Sequence, residues 1–168
     1  MNIILSGFMG SGKTTVAKTI SKISKKTVID LDDYIENKNG MTVSQIFEKY
    51  GEEHFRKLEK DAVKSVSQMD NLVIATGGGT LLNQDNVKTL KENGVVVFLD
   101  VSVDTILRRL KDDTTRPLLQ RPNKECAITE LLMGRMPIYK ATADLVIDHN
   151  DDDEYKTAQT ILERTNLL

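Results

Sequence analysis

Apolar residues in this chain fall into two patterns that take turns from one end to the other. The continuous runs Asn2-Ile3-Ile4-Leu5, Thr27-Val28-Ile29-Asp30, Leu72-Val73-Ile74-Ala75-Thr76, Val95-Val96-Val97-Phe98-Leu99-Asp100 and Leu145-Val146-Ile147-Asp148 are short and rich in β-branched residues, as strands buried on both faces are. The fourth is the most apolar and is expected at the centre of a sheet. Between the runs, apolar residues recur every three or four positions. Val16, Ala17, Ile20 and Ile23 predict a helix from Thr14 to Ser24, and Phe55, Leu58, Ala62, Val66 and Met69 predict one from Glu53 to Met69. Shorter helices are predicted from Tyr34 to Lys38, after the capping box Thr42-Val43-Ser44-Gln45, from Asn83 to Asn93, from Val103 to Leu110 with Asp100 as its cap, from Glu125 to Met133 or slightly beyond, and from Glu154 to Asn166. Strands that alternate with helices imply an α/β fold, three layers α/β/α around a five-stranded parallel sheet.

Composition narrows the picture. A chain of 168 residues with 39% hydrophobic content suits one domain, expected over 1–168. The 23 basic residues nearly balance the 25 acidic ones, so no global field favours nucleic acid or an anionic membrane, and any anion must be held by local chemistry. Cys126 is the only cysteine, which excludes an internal disulfide and a cysteine zinc site and suits a reducing compartment; it reads as a small packing residue. No apolar run reaches the roughly 18 residues of a membrane span, and the N-terminus enters a strand without the regions of a signal peptide. A cytoplasmic protein is expected.

The first strand runs into Gly7-Phe8-Met9-Gly10-Ser11-Gly12-Lys13-Thr14, which fits the phosphate-loop pattern G-x-x-x-x-G-K-[ST], and a helix follows in the required order. Glycines let the backbone wrap round an anion with its N–H groups inward, and the helix start adds further N–H groups and a positive dipole end. Gly10, Ser11, Gly12, Lys13, Thr14 and Thr15 are therefore the candidate nucleotide contacts. Lys13 is expected on the β- and γ-phosphates and the Thr14 hydroxyl on Mg2+.

Four further stretches carry candidate chemistry. Asp30-Leu31-Asp32-Asp33 puts carboxylates at the carboxyl end of a parallel strand, where open α/β sheets bind ligands, although capping of the next helix explains them equally. Arg56 follows Phe55 directly and so points away from the face that Phe55 buries; a solvated surface arginine would read the same way. Gly77-Gly78-Gly79 at the end of the third strand suggests close approach of backbone to a ligand, or a flexible turn. Between Lys111 and Lys124 periodicity gives way to Asp, Thr, Arg, Pro and Gln, a composition that suits either a lid bringing Arg116 over a nucleotide or a solvated loop. The run Asp151 to Glu154 reads as capping charge on the last helix rather than a metal site.

Taken together, the phosphate loop, Asp30-x-Asp32, Phe55-Arg56-x-x-Glu59, Thr76-Gly77-Gly78-Gly79, Arg116-Pro117-Leu118-Leu119 and Arg135-x-Pro137-x-Tyr139 resemble the shikimate kinase family over essentially the full chain. That resemblance implies a nucleoside-monophosphate-kinase-like fold with strand order 2-3-1-4-5, an acceptor-binding region at about 32–60, a mobile lid at about 111–124, and transfer of the ATP γ-phosphoryl to the 3-hydroxyl of shikimate. It also implies that Arg56 and Arg135 hold the shikimate carboxylate, and that Asp32 and the glycines Gly77, Gly78 and Gly79 fix its hydroxyls. Asp30 would support Mg2+ through water beside Thr14, Asp32 would orient the attacking hydroxyl and is a candidate acceptor for its proton, and Arg116 with Lys13 would neutralise the phosphates. Two arginine forks explain how an acidic protein binds an anionic acceptor. Shikimate and ATP are the expected partners of a monomer.

One departure concerns the base. Family members often carry a basic residue after the fifth strand, whereas Asp148-His149-Asn150 is followed here by two aspartates, so adenine contacts would fall mainly to Arg109 and to backbone. A gluconate-type kinase shares the phosphate loop but is not expected to carry Arg56, the three glycines and Arg135 together. A GTP-dependent switch needs N-K-x-D, and the candidate Asn123-Lys124-Glu125-Cys126 has Cys126 where Asp is required.

Overall fold

A computed structural model describes residues 1–112 and 123–166. Five parallel strands, β1 (Asn2–Ser6), β2 (Thr27–Asp30), β3 (Leu72–Ala75), β4 (Gly94–Asp100) and β5 (Leu145–Asp148), form one sheet in the order 2-3-1-4-5. The apolar β4 is an inner strand, but β1 holds the middle position.

Alternation along the strands divides the core. Ile3, Leu5, Val73, Ala75, Val97 and Leu99 pack with α1 (Lys13–Ser24) and α8 (Glu154–Thr165) on one face. Their neighbours Ile4, Ile74 and Val96 pack on the other face with α2 (Leu31–Asn39), α3 (Val43–Tyr50), α4 (Glu52–Ser67) and α5 (Gln84–Lys91). Side chains on a strand point to opposite faces in turn, so a sheet covered on both sides needs apolar residues at every position. A third cluster joins α6 (Val103–Arg109) to α7 (Lys124–Thr142) around Phe8, Phe98 and Tyr139.

Several boundaries differ from expectation. Helix α2 begins at Leu31 rather than Tyr34, because the Asp30 side chain accepts from the Asp33 amide and caps it; Asp32 and Asp33 form its first turn. Ser102 caps α6 in place of Asp100, with its side chain accepting from the Thr105 amide. Helix α7 does not stop near Met133 but continues through Pro137 to Thr142. Cys126 is exposed rather than packed, and Met69 is exposed beyond the end of α4. The capping box at Thr42 forms as expected, with the Gln45 amide and the Thr42 amide each satisfied by the other side chain at 3.1 and 2.9 Å. The segment that contains Arg116, the arginine assigned to a lid, lies outside the described residues.

Strand register sets the site. Asp30 pairs with Ala75, Ala75 with Leu5, and Leu5 with Val97, so β2, β3 and β1 reach the carboxyl edge of the sheet nearly level with one another, while β4 runs on to Asp100. Beyond that rung β1 becomes the phosphate loop, β2 turns into α2 at Leu31, and β3 leads into Gly77. The side chain and amide of Thr76 both donate to the Leu5 carbonyl, at 2.8 and 3.1 Å, and fasten the exits of β1 and β3 together.

Candidate active site

Above this edge lies a cleft of about 430 Å³. One wall is the phosphate loop. Gly10 and Gly12 take φ of 76° and 92°, which only glycine adopts freely, and Gly12 caps the start of α1. Lys13 folds back over the loop, donating to the carbonyls of Gly7 and Phe8 at 2.7 and 3.1 Å, which fixes the ammonium above the concave side. Thr14 and Thr15 also face the cleft. Ser11 does not: it is buried, its amide donates to the Phe8 carbonyl at 3.1 Å, and its hydroxyl is without a partner among the described residues.

The Thr14 hydroxyl donates to Asp30 Oδ2 at 3.0 Å. A hydroxyl beside a carboxylate at a phosphate loop is a hard, oxygen-only donor set of the kind Mg2+ takes. Among the described residues no group of three or more His, Cys, Asp or Glu is placed to hold a metal, so a cation here would draw most of its ligands from phosphate and water.

The opposite wall is built on the three glycines. None of them has positive φ. Each makes room for a side chain of this protein: a Cβ at Gly77 would lie 2.9 Å from Asp32 Oδ1, at Gly78 2.9 Å from Arg135 Nη1, and at Gly79 2.6 Å from Arg56 Nη2. Three consecutive residues without side chains therefore seat one carboxylate and two guanidinium groups against a single stretch of backbone. Arg56 and Arg135 come from α4 and α7 and meet across two adjacent residues.

Charge around these groups is uneven. Arg56 Nη1 donates to Glu59 Oε1 at 2.9 Å, and the other Glu59 oxygen accepts from Thr80 Oγ1 at 2.9 Å. Glu59 is 1% exposed. Burial works against the Arg56 charge, but Glu59 beside it prevails and raises its pKa. Arg135 has no carboxylate partner among the described residues; its guanidinium carbon lies 6.0 Å from the Phe8 ring centroid, within cation–π range. Burial, together with the charges of Asp30 and Glu59, lifts the Asp32 pKa to about 6, against the opposing pull of Lys13.

Glu59 and Thr80 are not among the expected site residues, although Glu59 carries a signal in the sequence. It shares the helical face of Phe55, Ala62 and Val66, where a polar residue has to be bonded, and it is. Tyr139 likewise proves to be a support, its hydroxyl donating to the Gly78 carbonyl at 2.5 Å. Arg109 does not line the cleft but touches the phosphate loop, donating to the Gly10 carbonyl at 3.1 Å.

Known proteins match both sequence and shape. A family model described as shikimate kinase matches residues 9–166. The shikimate kinase of Caldicellulosiruptor bescii is 50% identical over 139 residues, 83% of this chain and 81% of its own length. That of Caldanaerobacter subterraneus subsp. tengcongensis is 45% identical over 161 residues, 96% of this chain and 94% of its own. Among solved structures, a shikimate kinase from Acinetobacter baumannii in complex with shikimate superposes with a TM-score of 0.92 at 39% identity, covering 98% of this chain and 92% of that one. With its sheet order, its phosphate loop and its paired arginines, the chain belongs to the shikimate kinase family.

Proposed function

We propose that this chain transfers the γ-phosphoryl group of ATP to the 3-hydroxyl of shikimate, giving shikimate 3-phosphate and ADP on the route to chorismate and the aromatic amino acids. One observation carries the acceptor assignment: Arg56 and Arg135 reach the cleft beside neighbouring glycines, with Asp32 beside the third. A carboxylated polyol is the ligand that this arrangement suits, because two guanidinium forks pair with a carboxylate while a carboxylate receives hydroxyl protons.

In this reading the phosphate loop and Lys13 hold the triphosphate, and Arg56 and Arg135 anchor the acceptor with its alcohol toward Asp32. A phosphoryl transfer transition state is loose, so alignment and charge neutralisation matter more than strong base catalysis. Asp32 accordingly orients the hydroxyl first and takes its proton as the new bond forms, for which its raised pKa suits it. Thr14 and Asp30 would hold Mg2+, which when bound supplies charge neutralisation on the phosphates. Arg116 is assigned to the same charge only through the family resemblance. A cytoplasmic monomer folded as one domain fits this role; among the described residues no helix is long and apolar enough to cross a membrane.

The test is an ADP-release assay that offers shikimate, gluconate and nucleoside monophosphates in turn. Turnover with shikimate alone is expected; turnover with gluconate in its place, or GTP hydrolysis without any acceptor, would overturn the reading.

A further inference from the structure

Arg109, the last residue of α6, is held on three sides. Its Nη1 donates to the Gly10 carbonyl at 3.1 Å, its Nη2 to the His149 carbonyl at 2.7 Å, and its Nε to Asp152 Oδ1 at 2.9 Å. Gly10 belongs to the phosphate loop, while His149 and Asp152 belong to the loop between β5 and α8. One guanidinium thus ties together two segments far apart in sequence. His149 tightens the same seam: its ring lies 2.8 Å from Thr157 Oγ1 on one side, and a Cβ at Gly12 would come within 3.0 Å of it on the other.

Asp152 is the unusual member. Its φ is 56°, a left-handed conformation that Asp and Asn hold more readily than other side-chain-bearing residues, and its carboxylate reaches Arg108 Nη2 at 2.9 Å as well as Arg109. The hydrogen bond from Arg109 keeps its carboxyl below the ordinary range. One carboxylate shared by two arginines beside the phosphate loop fixes where the Arg109 guanidinium sits.

The acceptor pocket occupies the β2 and β3 side of the phosphate loop, so the part of the nucleotide beyond its phosphates has to lie toward β4 and β5. The seam joined by Arg109 lies on that side. We propose that Asp152 is a positioning residue of the nucleotide site, locking the Arg109 guanidinium against Gly10 and His149 and thereby setting the surface on which the nucleoside half of ATP rests. This rests on the reading that the loop after β1 holds the ATP phosphates.

The experiment measures MgADP affinity by titration calorimetry, and KM for ATP and shikimate by turnover, in Asp152→Ala, Asp152→Asn, Arg109→Ala and the double variant Asp152→Ala/Arg109→Ala. Asp152→Ala is expected to weaken MgADP roughly threefold to tenfold and to raise the KM for ATP similarly, as loss of a partly exposed ion pair at a ligand site would. The KM for shikimate and kcat stay within about twofold, and Asp152→Asn, whose amide oxygen still accepts from Nε, loses less. The double variant binds MgADP no more weakly than Arg109→Ala alone, since Asp152 acts through Arg109. Unchanged MgADP affinity in Asp152→Ala, additive losses in the double variant, or equal losses for both substrates would each overturn the proposal. MgADP titration needs no acceptor, so a mistaken acceptor would show in turnover and leave these affinities untouched.

Discussion

Asp32 carries the sharpest conflict between function and stability in the molecule. Its carboxylate is drawn into a partly buried site beside two other acids, and its pKa rises to about 6. An acid whose native pKa is raised binds its proton more tightly folded than unfolded. Its favourable contribution is therefore complete below about pH 4 and is lost as the pH climbs through about 6. At pH 8 the ionised side chain costs the fold up to roughly 3 kcal/mol relative to an unshifted residue. Asp32→Asn should consequently be more stable than the parent protein at pH 8, with the gain shrinking toward pH 5, while turnover falls at least about 100-fold. Thermal unfolding at both pH values alongside the kinase assay checks this. A variant less stable at pH 8 would mean that the carboxylate supports the fold. In the parent protein, kcat/KM for shikimate should fall along an acid limb at or below about pH 6, as Asp32 becomes protonated.

Helix α7 shows what local pattern conveys and what it leaves out. Pro137 lacks the N–H that would donate one turn back and its ring crowds that turn, so a helix ending before it is the local expectation. Tertiary contacts decide otherwise: Arg135 and Tyr139 sit four residues apart on one helical face, Tyr139 is 1% exposed and stacks on Phe98, and its hydroxyl grips Gly78. Only an unbroken helix brings both to the glycine turn. The Thr42 capping box, by contrast, is satisfied within four residues and could be read from the sequence directly. Gly134 in the same helix faces open space, with no atom within 4 Å of an added Cβ. Gly134→Ala should therefore stabilise the protein by about 1 kcal/mol, raising Tm by about 2–4 °C in a chain of this size. Calorimetry decides the matter. A lower Tm, or weaker shikimate binding, would indicate that α7 has to bend beside Arg135.

At the scale of the whole molecule, the strand order divides the labour. The exits of β1, β2 and β3 adjoin one another at the carboxyl edge, bringing the phosphate loop, Asp32 and the glycine turn together, and Arg56 and Arg135 arrive from α4 and α7. The order of motifs along the chain disclosed the phosphate loop and the alternating layers, because each depends on neighbours in sequence. That Gly77, Gly78 and Gly79 seat Asp32, Arg135 and Arg56 could not be read there, since each pair is joined only by folding. The same distinction separates the two arginines of the clamp. Arg56 neutralises Glu59, which is 1% exposed, whereas Arg135 has no carboxylate partner among the described residues. Removing one member of a buried ion pair strands the other, so Arg56→Ala should cost stability on the order of 2 kcal/mol as well as acceptor binding. Arg135→Ala should weaken shikimate binding about 10- to 100-fold, as loss of a charge-assisted fork does, and leave both Tm and MgADP affinity near their parent values. Shikimate and MgADP titrations with melting curves on both variants make the comparison. If Arg135→Ala lost affinity for both ligands equally, or melted as early as Arg56→Ala, Arg135 would be a structural residue and the two-armed clamp would not exist.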